Sequence, residues 1–290
     1  MTDIKKYEGI IPAFYACYNA DGSVNATAVR ELTRYYIEKG VQGLYVGGSS
    51  GECIYQSKEE RKLVLENVMA EAKGKLTIIA HIACNNTADS QELAAHAESL
   101  GVDAIASIPP IYFKLPPHAI AKYWNDMSAA APNTDFIIYN IPQLAGVSLS
   151  VPLLKEMLKN PRVIGVKNSS MPTQDIQMWK DEGCIVFNGP DEQLLSGLVA
   201  GAVGGIGTLR SFARQRLRLE HLQYSGHPRR GRAHPPDNDA YVHGAHFSSF
   251  ARFRFAHFRL SCLARRRIFA ARRFHFSGRF CRSAAGIMSS

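Results

Sequence analysis

A lysine set inside an apolar run has the most direct route to chemistry in this sequence. The stretch Val163-Ile164-Gly165-Val166-Lys167-Asn168-Ser169-Ser170 carries Lys167 near the end of a strand-like segment. Lysine is almost never buried without a reason. Burial disfavours its ammonium form and lowers its pKa, which leaves the free amine that a Schiff base requires. The competing reading is a lysine at a strand rim that reaches solvent.

Three other apolar runs end in polar groups. Gly47-Gly48-Ser49-Ser50-Gly51-Glu52 joins glycines, which let a backbone approach a ligand closely, to two hydroxyls. Such a turn makes a nest for a small carboxylate, although an ordinary glycine-rich turn reads the same way. Tyr139-Asn140-Ile141-Pro142 puts a phenol where it can shuttle protons; a lone tyrosine is also a common core or rim residue. Phe187-Asn188-Gly189-Pro190-Asp191-Glu192 sets two carboxylates at a helix start. There they either complement the helix dipole or accept hydrogen bonds from substrate hydroxyls.

The elements that would position these groups follow a regular alternation. Apolar, β-branched runs cover Ile10–Tyr18, Val41–Gly48, Leu76–Ala83, Ala104–Pro110, Asp135–Pro142, Val163–Ser170, Cys184–Pro190 and Val203–Thr208. Helical patterns lie near 25–39, 57–73, 87–100, 117–130, 150–159, 173–182 and 191–200, and Ser57 with Glu60 forms a capping box. Strands apolar along their whole length suit a parallel sheet covered by helices. Strict alternation over eight strands points to an α/β TIM (β/α)8 barrel in residues 1–208, where reactive groups gather at the C-terminal strand ends. An open doubly wound sheet remains the alternative.

Composition splits the chain in two. Residues 1–208 hold 13 Lys, 4 Arg, 9 Asp and 13 Glu, a net charge of −5. Residues 209–290 hold 17 Arg, no Lys, 2 Asp and 1 Glu, a net charge of +14, and together the two parts give the chain's +9. No apolar run reaches the roughly 18 residues of a membrane span. Met1-Thr2-Asp3-Ile4-Lys5-Lys6 lacks the apolar stretch of a secretory leader. The six cysteines (17, 53, 84, 184, 262 and 281) show neither a CxxC pair nor metal spacing. Reduced thiols and a cytoplasmic location are therefore expected, with no metal.

Taken in order, the Gly-Gly-Ser-Ser-Gly-Glu, Tyr-Asn-Ile-Pro, Gly-Val-Lys-Asn-Ser, Asn-Gly-Pro-Asp-Glu and Gly-Gly-Ile-Gly-Thr segments resemble the N-acetylneuraminate lyase and dihydrodipicolinate synthase superfamily over residues 5–208. The resemblance implies a class I aldolase. Lys167 would attack the ketone of pyruvate or of open-chain sialic acid, and the Schiff base would serve as the electron sink, so no cofactor is needed. Ser49 and Ser50 would hold the carboxylate, and Tyr139 would move the proton at the C4 hydroxyl. Ser169, Gly189, Asp191, Glu192 and Thr208 would line the pocket for the sugar chain. The products would be N-acetylmannosamine and pyruvate. Members are usually homotetramers, and Tyr112 resembles a tyrosine near a subunit interface.

One position separates the two branches. The synthase branch resembles Tyr-Asn-x-Pro-x-Arg-Thr, whose arginine binds a second carboxylate. Here that position is Leu144, so no charge-assisted fork is available. A neutral, hydroxylated substrate fits better, with Asp191 and Glu192 as acceptors. Dihydrodipicolinate synthase or another 2-oxo-acid aldolase stays as the alternative.

The alternation stops after Thr208. A basic, aromatic-interleaved segment suggests nucleic-acid or anionic-membrane binding, but the absence of lysine among 17 arginines does not favour it. Many phenylalanines argue against a solvated disordered extension. The favoured reading is a shifted reading frame near residue 208 in a lyase gene, with no nucleic-acid or membrane partner; an inactive product is then a further alternative. Were Leu209–Arg214 encoded CTA CGG AGC TTT GCC CGC, a shift of one base would read Tyr-Gly-Ala-Leu-Pro-Ala. A tyrosine would then follow Thr208, as the resemblance expects. Loss of the last helices would uncover several hundred Å2 of apolar surface, a cost on the order of 10 kcal/mol at ~25 cal/mol per Å2. That is comparable with the whole stability of a domain, so the chain as written is expected to fold poorly or aggregate.

Overall fold

The apolar runs become strands buried on both faces. In the computed structural model, which describes residues 4–208, these are β1 (Gly9–Ile10), β2 (Gly43–Val46), β3 (Thr77–His81), β4 (Ala104–Ser107), β5 (Asp135–Asn140), β6 (Val163–Asn168), β7 (Ile185–Asn188) and β8 (Gly204–Gly205). Every residue of β2, β3, β4 and β7 is buried. They pair in parallel in the order β1-β8-β7-β6-β5-β4-β3-β2. The ends of this sheet meet: Ala13 bridges Tyr45, and Tyr45 N–H donates to Pro12 O at 2.9 Å while Phe14 N–H donates to Tyr45 O at 2.8 Å. The result is the (β/α)8 barrel expected from the alternation.

The helices are α1 (Ala26–Glu38), α2 (Lys58–Ala72), α3 (Thr87–Leu100), α4 (Pro117–Ala130), α5 (Pro142–Ala145), α6 (Val151–Met157), α7 (Gln174–Asp181) and α8 (Leu194–Val199). The capping box of α2 forms as anticipated: Ser57 N–H donates to Glu60 Oε2 at 2.9 Å, and Glu60 N–H donates to Ser57 Oγ at 3.2 Å. Two apolar cores result. The larger lies between helices and sheet, with Leu32, Val68, Trp124, Leu154 and Trp179 among its members. The smaller fills the barrel interior with Ile11, Tyr45, Ile79, Ile137, Tyr139, Phe187 and Ile206. Tyr7, from a 3-10 turn at Ile4–Tyr7, joins it at the N-terminal mouth, where its hydroxyl donates to Asp135 Oδ2 at 2.8 Å.

Several boundaries differ from the sequence reading. The first strand stops at Ile10 because Pro12 has no N–H to give a ladder. The last strand shrinks to Gly204–Gly205, and the helix expected at 191–200 divides into a 3-10 turn (Asp191–Gln193) and α8. Unforeseen short elements are α5, opened by Pro142 and ended by Gly146 at φ +70°, and two 3-10 turns, Ser49–Gly51 and Cys53–Tyr55, joined at Glu52 with φ +55°. On α8, Leu195 and Val199 are 77% and 82% exposed. The basic segment 209–290, with Cys262, Cys281 and the proposed frame change, lies outside the described residues.

Candidate active site

Lys167 is 4% exposed and comes from the C-terminal half of β6, where it is the register partner of Tyr139 on β5. In a parallel pair, register partners project to the same face, so both side chains enter the barrel. Lys167 Nζ lies 3.3 Å from the centroid of the Tyr139 ring and 4.6 Å from that of Tyr45, on β2. Burial lowers the lysine pKa from its ordinary 10.5, while Tyr139 and the Asp191 carboxylate pull it back upward. The rim-lysine alternative is therefore excluded. The amine lies against two aromatic rings, gives up its proton more readily than an exposed lysine, and has a phenol beside it.

The β5–β6 pair is fixed by a polar network behind the sheet. Asn168 Oδ1 accepts from Asn140 Nδ2 at 2.8 Å and from Trp179 Nε1 at 3.1 Å. Asn168 Nδ2 donates to Ser170 Oγ, which donates to Asp175 Oδ2 at 2.6 Å. These bonds satisfy buried polar groups and set the strand ends from which Tyr139 and Lys167 project.

The hydroxyl turn follows β2. Ser49 is exposed and Ser50 half-buried. Gly48 must lack a side chain: a Cβ there would lie 2.5 Å from Tyr45 Cε1. Gly47 has φ +72°, and its carbonyl is 2.9 Å from His81 Nδ1.

After β6 and β7, Ser169 and Gly189 are in contact, since a Cβ on Gly189 would collide with Ser169 Oγ and sit 2.7 Å from Asn168 O. Asp191 is half-buried, and its Oδ2 accepts from Thr208 Oγ1 at 3.3 Å. A Cβ on Gly207 would sit 2.8 Å from Asp191 Cγ, so glycine there makes room for the carboxylate. Glu192 is exposed in the 3-10 turn. Lys167 thus lies against the Tyr139 and Tyr45 rings with the Asp191 carboxylate acting on its charge, and the hydroxyl-bearing turn leaves β2 beside them, with Gly48 against the Tyr45 ring. Tyr112 stands apart as a protruding residue, 89% exposed at φ +84° and stacked edge-on against Phe113.

The sequence profile of the dihydrodipicolinate synthetase family matches residues 6–222. The chain belongs to that family. It is 68% identical over 210 residues to N-acetylneuraminate lyase of Mediterraneibacter gnavus, an alignment covering 71% of this chain and 67% of that protein. The wild-type sialic acid aldolase of Ruminococcus gnavus superposes with a TM-score of 0.69 at 69% identity, over 70% of this chain and 68% of that one. Its catalytic lysine mutant gives 0.71 at 67% identity, over 72% and 69%. The matches therefore leave about a third of each relative's length unpaired.

Three residues of this family member's site were missed by sequence reasoning. Tyr45, next to last in β2, and His81, the last residue of β3, pack against each other and against Tyr139 beside the lysine. Arg61, on α2, is buried, and donates to His81 O at 2.6 Å, Ala83 O at 2.8 Å and Cys84 Sγ at 3.2 Å. Among the described residues, no group of three or more His, Cys, Asp or Glu side chains is arranged to hold a metal ion. No helix among them is long and apolar enough to cross a membrane.

Proposed function

We propose that this chain is a Schiff-base aldolase that cleaves N-acetylneuraminate reversibly to N-acetylmannosamine and pyruvate. The observation that carries the reading is Lys167, buried between the Tyr139 and Tyr45 rings with its pKa lowered by desolvation. A neutral amine attacks the C2 ketone, water leaves, and the iminium draws the electron pair of the breaking C3–C4 bond. Tyr139 takes the proton from the C4 hydroxyl as that bond breaks. Ser49 and Ser50 hold the carboxylate. Ser169, Gly189, Asp191, Glu192 and Thr208 line the sugar pocket, where the acidic groups accept from hydroxyls. The iminium is itself the electron sink, so the reaction as proposed needs no metal or cofactor.

The names of the similar proteins support this substrate, as does Leu144 in place of an arginine. Assembly as a homotetramer is part of the proposal, supported by the exposed apolar pair Tyr112 and Phe113; so is a cytoplasmic location, supported by the scattered free thiols.

The test is borohydride trapping with pyruvate, read by peptide mass spectrometry, beside a cleavage assay on N-acetylneuraminate. A pyruvate adduct on Lys167 with release of N-acetylmannosamine is the expected result. An unmodified Lys167 in folded protein removes the aldolase reading. An adduct without sialate cleavage leaves another 2-oxo-acid aldolase.

A further inference from the structure

We propose that His81 is a positioning residue for the carboxylate-holding turn, and that Arg61 fixes His81 in that role. The inference rests on the aldolase reading, in which Ser49 and Ser50 hold the carboxylate of pyruvate.

His81 ends β3, is 4% exposed, and meets both halves of the site. Its Nδ1 is 2.9 Å from Gly47 O. A carbonyl only accepts, so Nδ1 carries the hydrogen and Nε2 the lone pair. Gly47 is the hinge into the turn, in the left-handed region at φ +72°. The next residue, Gly48, is pressed on the Tyr45 ring. The turn that presents Ser49 and Ser50 is thus held at its root by one imidazole and one phenol.

The same imidazole packs edge-on against Tyr139, with centroids 6.0 Å apart and planes at 85°, and tilted against Tyr45 at 6.1 Å. Tyr45 in turn meets Tyr139 edge-on at 5.8 Å. His81 therefore sets the distance between the carboxylate turn and the proton-moving phenol. Among the described residues, Tyr45 Oη and His81 Nε2 have no hydrogen-bond partner, so the orientation of each ring depends on these packing contacts and the single bond to Gly47.

Arg61 supplies the anchor. Its guanidinium donates to the carbonyls of His81 and Ala83, which fixes the backbone where β3 ends. Burial and the Arg61 and Lys167 charges hold the imidazole well below its ordinary pKa of 6.5, against the Gly47 hydrogen bond. The ring stays neutral, with one hydrogen to give, and Gly47 receives it.

The experiment uses the full chain and three substitutions. His81→Asn keeps a donor at the Nδ1 reach, His81→Gln moves the donor outward, and His81→Leu has none. Pyruvate trapping at Lys167 is measured against pyruvate concentration, and kcat and KM for the aldehyde are measured in the synthetic direction. We expect His81→Leu and His81→Gln to raise the half-saturating pyruvate concentration about tenfold or more, consistent with one lost buried hydrogen bond, with full trapping at saturation and an unchanged aldehyde KM. His81→Asn should stay within about threefold of the parent. If the leucine variant does not fold, the contrast between asparagine and glutamine decides. Equal half-saturation in all folded variants, or no difference between asparagine and glutamine, overturns the inference while the aldolase reading stands. A parent that traps no pyruvate overturns both.

Discussion

Tyr139 and Lys167 are register partners across β5 and β6, and the amine lies 3.3 Å from the centre of the phenol ring. A parallel ladder places the proposed acid–base group and the proposed nucleophile side by side before any substrate arrives. A one-residue slip of that ladder would turn Lys167 out of the barrel. Proximity of this kind is set in the fold and removes an orientation cost at the moment of reaction.

Replacing Lys167 by methionine keeps the stem and deletes the amine. Cleavage should fall by roughly 1,000-fold or more, about 4 kcal/mol of barrier, with no pyruvate adduct. The folded chain holds Lys167 below its ordinary pKa of 10.5 because burial penalises the charge. Between the lowered value and 10.5 the unfolded chain binds more protons, so this group makes stability rise with pH. The methionine variant should accordingly be more stable than the parent at neutral pH, and the difference should shrink as pH climbs toward 10.5. Denaturant titrations of both chains across pH check this; a gap that widens with pH contradicts it.

Gly189→Ala drives a Cβ into Ser169 Oγ and against Asn168 O. Ser169 must move, while Lys167 and the hydroxyl turn are untouched. The expected outcome is a KM for N-acetylneuraminate raised about tenfold, on the order of one lost hydrogen bond, with pyruvate trapping unchanged. Equal weakening of both would place Ser169 outside the sugar pocket.

Asn168→Leu removes the hub between Asn140, Trp179 and Ser170. Two buried N–H donors lose their acceptor, at roughly 1–3 kcal/mol each. Urea unfolding should show a loss of about 2–5 kcal/mol with an unchanged slope. A loss below 1 kcal/mol would mean that water or a rotated neighbour replaces the hub.

Leu144, exposed on α5, stands where the synthase branch is expected to carry an arginine. Leu144→Arg should raise condensation of pyruvate with a carboxylate-bearing aldehyde, relative to N-acetylmannosamine, by about tenfold through a charge-assisted bond. No change in the ratio of kcat/KM values would separate this position from the substrate's tail.

Coding DNA tests the reading after Thr208. The frame shifted by one base should open with a tyrosine codon and remain open, and protein translated in that frame should melt cooperatively at a higher temperature than the chain as written. An early stop codon in the shifted frame removes the idea.

Much of the barrel was legible because buried parallel strands are apolar along their whole length, and because glycines and capping residues punctuate them. Lys167 and Tyr139 stood out because each breaks such a run with a reactive group. Arg61 did not, since Lys58-Glu59-Glu60-Arg61-Lys62 reads as a solvated helix start. Its signal was helical phase: Arg61, Val64, Leu65 and Val68 share one face, and that face is buried. His81 and Tyr45 were hidden by context, because whether a strand-end side chain points into a barrel depends on closure, which pairs residues far apart in sequence. β1 and β8 were overdrawn because Pro12 and the glycines limit pairing in ways that hydropathy does not register.

Closure itself is uneven around the ring. β1 and β8 share two register pairs, Gly9 with Gly204 and Ile10 with Gly205, whereas β5 and β6 share five. Local opening is easier where few ladder bonds hold two strands together. Thr208 hangs from this seam, tied by its carbonyl to the Tyr15 hydroxyl and by its side chain to Asp191. The half of the pocket assigned to the sugar is thus attached to a two-pair ladder, and the Lys167–Tyr139 pair proposed to form the imine to the five-pair one. Under the proposed function, breathing at the two-pair ladder would loosen the grip on a departing sugar while the lysine stays enclosed, which would give product release and bond cleavage separate thermal lives within a single ring.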